Sequence, residues 1–153
     1  MLFTGTYELT IDSKNRLSIP ASIRSAMDPE KDGTRFYLVP GSRRGTLSLY
    51  GDRYYEAYSE QYHASLPPAQ EKEDFEDLFY SMAAILDVDR QGRVVLPQRL
   101  LDFAGISGPV TLTGARDHLV LWNRKDHEAF MAANQQRYQD LLRRAQQQAQ
   151  RGG

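Results

Sequence analysis

Two short runs of this chain place an arginine four positions after an aspartate. Asp12 precedes Arg16, and 77 positions further along Asp89 precedes Arg93. A short carboxylate can accept backbone N–H bonds within its own turn, and an arginine four residues on can fold back to pair with it. The planar donor set of arginine also suits phosphate oxygens and the O6 and N7 atoms of guanine. Each run is therefore a candidate turn and a candidate binding group.

Further donors flank both arginines. An amide bonds a base edge and lysine suits a phosphate contact, so each turn offers two cations and an amide. The residues expected to contact a nucleic acid are Lys14, Asn15, Arg16, Arg90, Gln91 and Arg93. Among them, Arg16 and Arg93 would read bases. Lys14 and Arg90 would then position the phosphate backbone. The residues expected to stabilise the turns are Asp12, Asp89 and Gly92.

Both turns also fit a purely structural role, because an Asp–Arg pair that closes a strand connection needs no partner. If the pairs only close turns, the chain would instead be a ring-forming module whose loops bind a protein. Salt separates the two hypotheses, since phosphate contacts release counterions and make log affinity fall steeply with log salt.

The two runs belong to an internal duplication. Residues 12–20 (DSKNRLSIP) match residues 89–97 (DRQGRVVLP), and the apolar Leu9 falls on Leu86 at the same offset. One copy alone is too short to bury a core easily, so we expect the copies to pack on each other about a pseudo-twofold axis. The two turns would then form a symmetric pair.

Each copy predicts the same order of elements. A strand leads into the turn, a second strand follows, and Pro20 and Pro97 stand at the first position of a short helix. Further strands are predicted over residues 36–39, 46–50, 110–113 and 118–122, with Asp52 and Asn123 as caps of the next helices. Asn15 and Gly92 share one place in the two turns and are residue types that accept positive φ.

The helix after Asp52 would carry Tyr55, Tyr58 and Tyr62 on one face, for the core or for a partner. Residues 71–77 carry a net charge of −4, which leaves +3 elsewhere because the whole chain carries −1. We expect this acidic stretch to be helical, with an apolar stripe, and to face away from a nucleic acid. The stripe consists of Phe75, Leu78, Phe79 and Met82.

No glycine or proline follows Lys125 until Gly152, which predicts a long C-terminal helix. Its expected anchors are Phe130, Tyr138, Leu141 and Leu142. The glutamine-rich end beyond Leu142 should fray as a polar tail.

Other kinds of site have little support. The chain has no cysteine, and His63, His118 and His127 are scattered, so we expect no metal and no disulfide. No pair of carboxylates stands out as an acid and a base, so we expect no enzymatic activity, no cofactor and no small-molecule substrate. The first residues lack a basic flank and a long apolar run, which argues against a signal peptide or a membrane partner.

These features together resemble the MraZ family, bacterial regulators of the division and cell wall gene cluster that are related to the AbrB family of swapped-hairpin transcription factors. The resemblance covers nearly the whole chain and rests on residues 3–5, residues 12–20 with Arg24, residues 89–93 and residues 119–122. The family has glycine where this chain has Asn15.

The resemblance implies an α+β fold in which two tandem AbrB/MraZ-like βαββα repeats form a pseudo-twofold double-psi or swapped-hairpin β-barrel with flanking helices. It also implies binding to short G-rich direct repeats in double-stranded promoter DNA, assembly into a homo-oligomeric ring, and a place in the cytoplasm at the nucleoid. The expected boundaries are residues 1–66 for the first repeat, 67–79 for the acidic helical linker, 80–127 for the second repeat, and 128–153 for the C-terminal helix and polar tail.

Overall fold

The structure is a computed structural model that describes residues 2–65 and 70–152, with only the backbone described for residues 62–65 and 70. Its strands are β1 (Thr6–Thr10), β2 (Arg16–Ser18), β3 (Phe36–Pro40), β4 (Thr46–Gly51), β5 (Ala84–Leu86), β6 (Arg93–Val95), β7 (Pro109–Gly114) and β8 (Leu119–Asn123). Its helices are α1 (Ala21–Ala26), α2 (Asp52–Ser65), α3 (Gln70–Met82), α4 (Gln98–Ala104), α5 (Arg124–Asn134) and α6 (Tyr138–Arg151), with a 3-10 turn at Gln135–Arg137.

Six strands form one antiparallel sheet in the order β1-β7-β8-β4-β3-β5, while β2 and β6 form a separate two-stranded ribbon. The first strand of each repeat pairs with the other repeat, since β1 lies beside β7 and β5 lies beside β3. Both repeats therefore contribute strands to the same sheet.

The expected closed β-barrel is wrong, and the fold is a mixed α/β structure with antiparallel sheets. Strands β1 and β5 are opposite edges of the six-stranded sheet and do not pair with each other. The ribbon strands have only three residues each. Two residues beyond each of them stands a proline, Pro20 or Pro97, which lacks the N–H needed to extend a ladder. The ribbon consequently ends before it can join the sheet edges.

The hydrophobic core lies between one face of the sheet and the ribbon. Leu17 and Val94 are paired on the ribbon and fully buried, and both belong to the same core cluster as the sheet residues Leu38, Leu49 and Leu112. Each such side chain stabilises the fold by about 1.5–3 kcal/mol when it leaves water. The inner face of the ribbon is thus fixed by the core.

The tyrosines of the sheet occupy its other face. Tyr37 and Tyr50 alternate with core leucines and contact Tyr55 of α2 at ring separations of 4.9 and 5.1 Å. Phe79 of α3 reaches the same Tyr55 at 6.2 Å. Helices α2 and α3 therefore cover the side of the sheet that faces away from the ribbon. The acidic stretch of residues 71–77 is part of α3 and lies on that side.

The aromatic and apolar stripes are only partly as expected. Tyr55 is buried and Tyr58 is half-buried, whereas the side chain of Tyr62 lies outside the described residues. In α3, Phe75 and Phe79 stack at 5.0 Å, but Leu78 is 70% exposed and does not join the stripe.

The C-terminal helix departs from its prediction. Phe130 packs on Trp122 at 5.0 Å, but the 3-10 turn interrupts the helix after α5. The residues predicted to anchor the next segment, Tyr138, Leu141 and Leu142, are 60%, 44% and 39% exposed. The glutamine-rich end remains helical to Arg151 and is not the expected frayed tail, because glutamine, alanine and arginine all favour helix.

Two capping predictions also need correction. Pro20 and Pro97 occupy the N-cap, one position before the expected one. Asn123 is at the N-cap of α5, but its side chain makes no cap hydrogen bond. Its amide donates instead to the Gly105 carbonyl at 2.7 Å and accepts from the Ser107 backbone N–H at 3.1 Å, which holds the loop before β7.

Candidate nucleic-acid interface

The first Asp–Arg turn is closed from within. One carboxylate oxygen of Asp12 accepts the backbone N–H groups of Lys14 and Arg16 at 2.9 and 2.8 Å. The other oxygen accepts the Nε–H of Arg16 at 2.7 Å. The backbone carbonyl of Asp12 accepts the N–H of Asn15 at 3.0 Å, and the backbone N–H of Asp12 donates to the carbonyl of Arg16 at 3.1 Å, so five hydrogen bonds fix the loop.

The second turn repeats this arrangement bond for bond. Asp89 accepts the backbone N–H groups of Gln91 and Arg93, each at 2.9 Å, and the Nε–H of Arg93 at 3.0 Å. Its backbone carbonyl accepts the N–H of Gly92 at 3.0 Å, and its backbone N–H donates to the carbonyl of Arg93 at 2.9 Å. The sequence repeat is therefore also a repeat of geometry.

These contacts set the charge of both aspartates. The backbone N–H of Arg16, followed by its side chain, holds the pKa of Asp12 below its ordinary value against the opposing effect of burial. The backbone N–H of Arg93 acts in the same way on the pKa of Asp89. Both carboxylates are therefore ionised at neutral pH and neutralise part of the arginine charge.

The positive-φ position of each turn links it to the other repeat. Asn15 has φ 61° and Gly92 has φ 80°. The carbonyl of Asn15 accepts the N–H of Leu96, and the carbonyl of Gly92 accepts the N–H of Ile19, both at 2.8 Å. Each turn therefore lies at the point where the other repeat leaves the ribbon.

Different side chains support the two turns. The Asn15 amide donates to Gln98 at 2.9 Å, and Gln98 in turn donates to Asp102 at 2.8 Å. At the second turn the Arg24 guanidinium lies over Gly92, where a Cβ would come within 2.5 Å of its central carbon, while its Nε donates to the carbonyl of Ile19 at 3.0 Å. The amide predicted as a donor in the first loop is thus engaged within the protein.

Both arginines lie on the exposed face of the ribbon. Antiparallel pairing sets Arg16 opposite Val95 and Arg93 opposite Ser18, with the buried Leu17–Val94 pair between them. Side chains on a strand alternate between faces, so Arg16 and Arg93 project from the face opposite that pair. Diagonal neighbours of this kind are separated by about 7–8 Å.

The ion pairs leave much of each guanidinium available. Both use Nε, and among the described residues the terminal nitrogens of Arg16 and Arg93 make no hydrogen bond. Their side chains are 29% and 27% exposed. Two terminal N–H groups held in one plane form the fork that bonds O6 and N7 of guanine.

The remaining predicted donors stand at the two ends of the ribbon. Lys14 lies in the first turn, and Arg90 and Gln91 lie in the second, and all three side chains are exposed. The structure therefore brings the arginines together on one face and sets one exposed cation, Lys14 or Arg90, at each end.

Two residues of this face were missed by sequence reasoning. Ser18 and Val95 share the exposed face with the arginines, and Val95 is 59% exposed. The signal was present in the repeat, because Ser18 stands between the apolar Leu17 and Ile19 and aligns with Val95 at the offset of 77 residues.

Other chemistry has little support among the described residues. Within residues 2–65 and 70–152, no three His, Asp or Glu side chains converge as a metal site would require. The helices of the same ranges include none with the length and apolar character needed to cross a bilayer.

Comparison with known proteins gives a consistent result over nearly the whole chain. Residues 2–77 and 79–149 match the family model of the MraZ protein. A protein of Roseiflexus castenholzii named Transcriptional regulator MraZ is 32% identical over 135 residues, which cover 86% of this chain and 88% of that protein. Proteins of the same name are 30% identical in Bifidobacterium longum, over 92% of this chain and 89% of that protein, and 26% identical in Mycoplasmoides gallisepticum, over 92% and 94%. This chain therefore belongs to the MraZ family of transcriptional regulators.

Proposed function

We propose that this regulator binds promoter DNA sequence-specifically by placing the outer face of its β2–β6 ribbon in the major groove. The major groove admits a two-stranded β-ribbon, and it is the groove in which each base pair shows a distinct pattern of donors and acceptors. Arg16 and Arg93 would each bond a guanine, about two base-pair steps apart, since the steps are 3.4 Å.

The observation that carries this proposal is how the two arginines are held. In each turn the aspartate takes Nε and leaves the terminal nitrogens of the guanidinium without a partner among the described residues. If the aspartate and arginine served only to close the turn, a bidentate contact, with two guanidinium N–H groups on the carboxylate, would hold the turn more strongly. Fixing Nε alone orients the fork in advance and lowers the entropic cost of bonding a base.

Charge distribution supports the same face. Residues 71–77 hold the negative excess on α3, which lies across the sheet from the ribbon. Lys14 and Arg90 stand at opposite ends of the ribbon, where they would contact phosphates. The near-zero net charge of the chain is therefore compatible with a basic ribbon face.

We further propose that the protein acts as a homo-oligomer, in a ring, on short G-rich direct repeats at the division and cell wall gene cluster, in the cytoplasm at the nucleoid. Few cations per subunit neutralise few phosphates, so useful affinity requires several subunits on repeated sites. Helix α6 offers a contact, with exposed Tyr138, Leu141 and Leu142 and a net charge of +2, against −4 on α3 of another copy.

Salt dependence tests DNA binding against the protein-binding alternative. A duplex selected by the wild-type chain from a randomised library should be bound with a log affinity that falls steeply with log salt. Lys14→Gln and Arg90→Gln should each lower that slope by about 1. Lys72→Gln, on α3, is the matched control and should leave the slope unchanged. A flat salt dependence, or no selected sequence, would favour the protein-binding alternative.

A further inference from the structure

The exposed face of the ribbon breaks the symmetry between the repeats at one pair of positions. Arg16 and Arg93 are equivalent at the 77-residue offset, and so are Ser18 and Val95. The first arginine therefore stands opposite a valine, and the second stands opposite a serine.

The facing side chains are close neighbours. The Leu96 N–H bonds the carbonyl of Asn15, which makes Arg16 and Val95 a non-hydrogen-bonded pair of the ladder. In such pairs the Cα atoms are about 4.5 Å apart and the side chains are closest. A base-pair step is about 3.4 Å, so Val95 lies within reach of the base pair next to the one that Arg16 contacts.

Strand propensity alone does not account for this valine. A β-branched residue favours a strand, but the equivalent position of the other repeat holds a serine, so the ribbon forms with a polar residue there. Val95 is 59% exposed, and it lies beside both Arg16 and Arg93, the two arginines of the proposed DNA contact. The only apolar group that a base edge offers in the major groove is the methyl group of thymine.

We infer that Val95 packs on the methyl group of a thymine beside the guanine bound by Arg16, and that Ser18 gives no such preference beside Arg93. This inference rests on the proposed DNA-binding function. Turning the ribbon by 180° about its pseudo-twofold axis exchanges Val95 with Ser18. The two orientations on DNA are then unequal, and each subunit reads its site in one direction.

The test uses duplexes that the wild-type chain selects from a randomised library. Each thymine is replaced singly by deoxyuridine, which lacks only the 5-methyl group, and affinity is measured at fixed salt. Loss of one buried methyl contact should weaken wild-type binding roughly threefold to fivefold at one thymine of each site. The Val95→Ser variant should show no such loss at that thymine, and the near-isosteric Val95→Thr variant should show a smaller one. The Ser18→Val variant should gain sensitivity at a second position.

The possible failures are distinct. If no deoxyuridine replacement weakens wild-type binding, or if the same thymine still matters in Val95→Ser, the inference is wrong while DNA binding stands. If the library yields no preferred sequence, the proposed function and the inference fail together. Thermal unfolding of each variant accompanies the binding data, and because Val95 is exposed, a melting temperature close to that of the wild type is expected.

Discussion

Arg16 and Arg93 occupy diagonal positions on the exposed face of the β2–β6 ribbon, on either side of the buried Leu17–Val94 pair. That pair belongs to the core, so the backbone that carries both arginines cannot shift without disturbing the hydrophobic core. Each arginine is also bonded to the aspartate of its own turn. The two arginines are thus attached to the ribbon at diagonal positions, which in a β-ladder lie about 7–8 Å apart.

Replacing Gly92 by alanine should destabilise the fold more than the same change at Gly105. Both glycines have positive φ, which costs an L-residue about 1–2 kcal/mol. Only at Gly92 would the new methyl displace the Arg24 guanidinium from its bond to Ile19, and a lost hydrogen bond adds about 0.5–1.5 kcal/mol. Urea unfolding measures the difference, and equal losses for the two variants would show that Arg24 does not hold the turn.

The double variant Asp12→Asn with Asp89→Asn should be less stable than the wild type at neutral pH but not in strong acid. The folded pKa of each aspartate lies below its ordinary value of 3.8, so the unfolded state binds the proton more readily. Their contribution is complete above about pH 4 and is lost as the pH falls through the lower folded pKa values. Melting temperatures from pH 7 to pH 2 should converge. A constant gap over that range contradicts the assigned hydrogen bonds.

The elements that define the site could be predicted from sequence because they depend on local patterns. The Asp-x-x-x-Arg spacing describes bonds between residues at most four positions apart, and the offset of 77 residues shows that the same turn occurs twice. The pairing of β1 with β7 and of β5 with β3 joins residues about 100 and 50 positions apart in the chain, and no local pattern encodes such pairing.

Periodicity also failed where packing decided the outcome. Tyr138, Leu141 and Leu142 have the spacing of a core-facing stripe, yet the 3-10 turn before Tyr138 separates them from the sheet. The sequence pattern gave no separate role to Val95, because Val94 and Val95 are adjacent valines and apolar type alone does not show which of them faces outward. Val94 faces the core, and the alternation of the ribbon leaves Val95 outside.

The variant Tyr54→Phe should be less stable than the wild type by about 1 kcal/mol. This value is the free energy of a hydrogen bond to a charged group, lowered because the pair is partly exposed to solvent. The Tyr54 hydroxyl donates to Asp117 at 2.7 Å, and Asp117 also bonds His118 at 2.7 Å. Burial, with that hydrogen bond, raises the pKa of Tyr54 to about 12, so the hydroxyl keeps its proton at neutral pH. Denaturant unfolding tests this, and Tyr138→Phe is the control because Tyr138 is 60% exposed. Equal effects of the two changes would show that the hydrogen bond between Tyr54 and Asp117 does not stabilise the fold.

Replacing Leu141 and Leu142 by glutamate should reduce the size of the proposed homo-oligomer in light scattering. Both are exposed apolar residues of α6, and none of its described residues is buried, so the melting temperature of the subunit should hardly change. The paired change Gln146→Glu with Gln147→Glu adds the same charge to polar positions and serves as the control. An assembly that keeps its size in the leucine variant would direct the search for subunit contacts to another face.

Binding of Arg16→Ala and Arg93→Ala to a selected duplex decides whether the two arginines of the ribbon read DNA. Each variant should lose about 1–3 kcal/mol of binding free energy and relax base preference at one guanine, as expected for a lost bidentate contact. Folding should survive in both, since the aspartates retain their backbone N–H bonds. If both variants bind the duplex as tightly as the wild type while their melting temperatures fall, the arginines only close turns and the ribbon is not the DNA-reading surface.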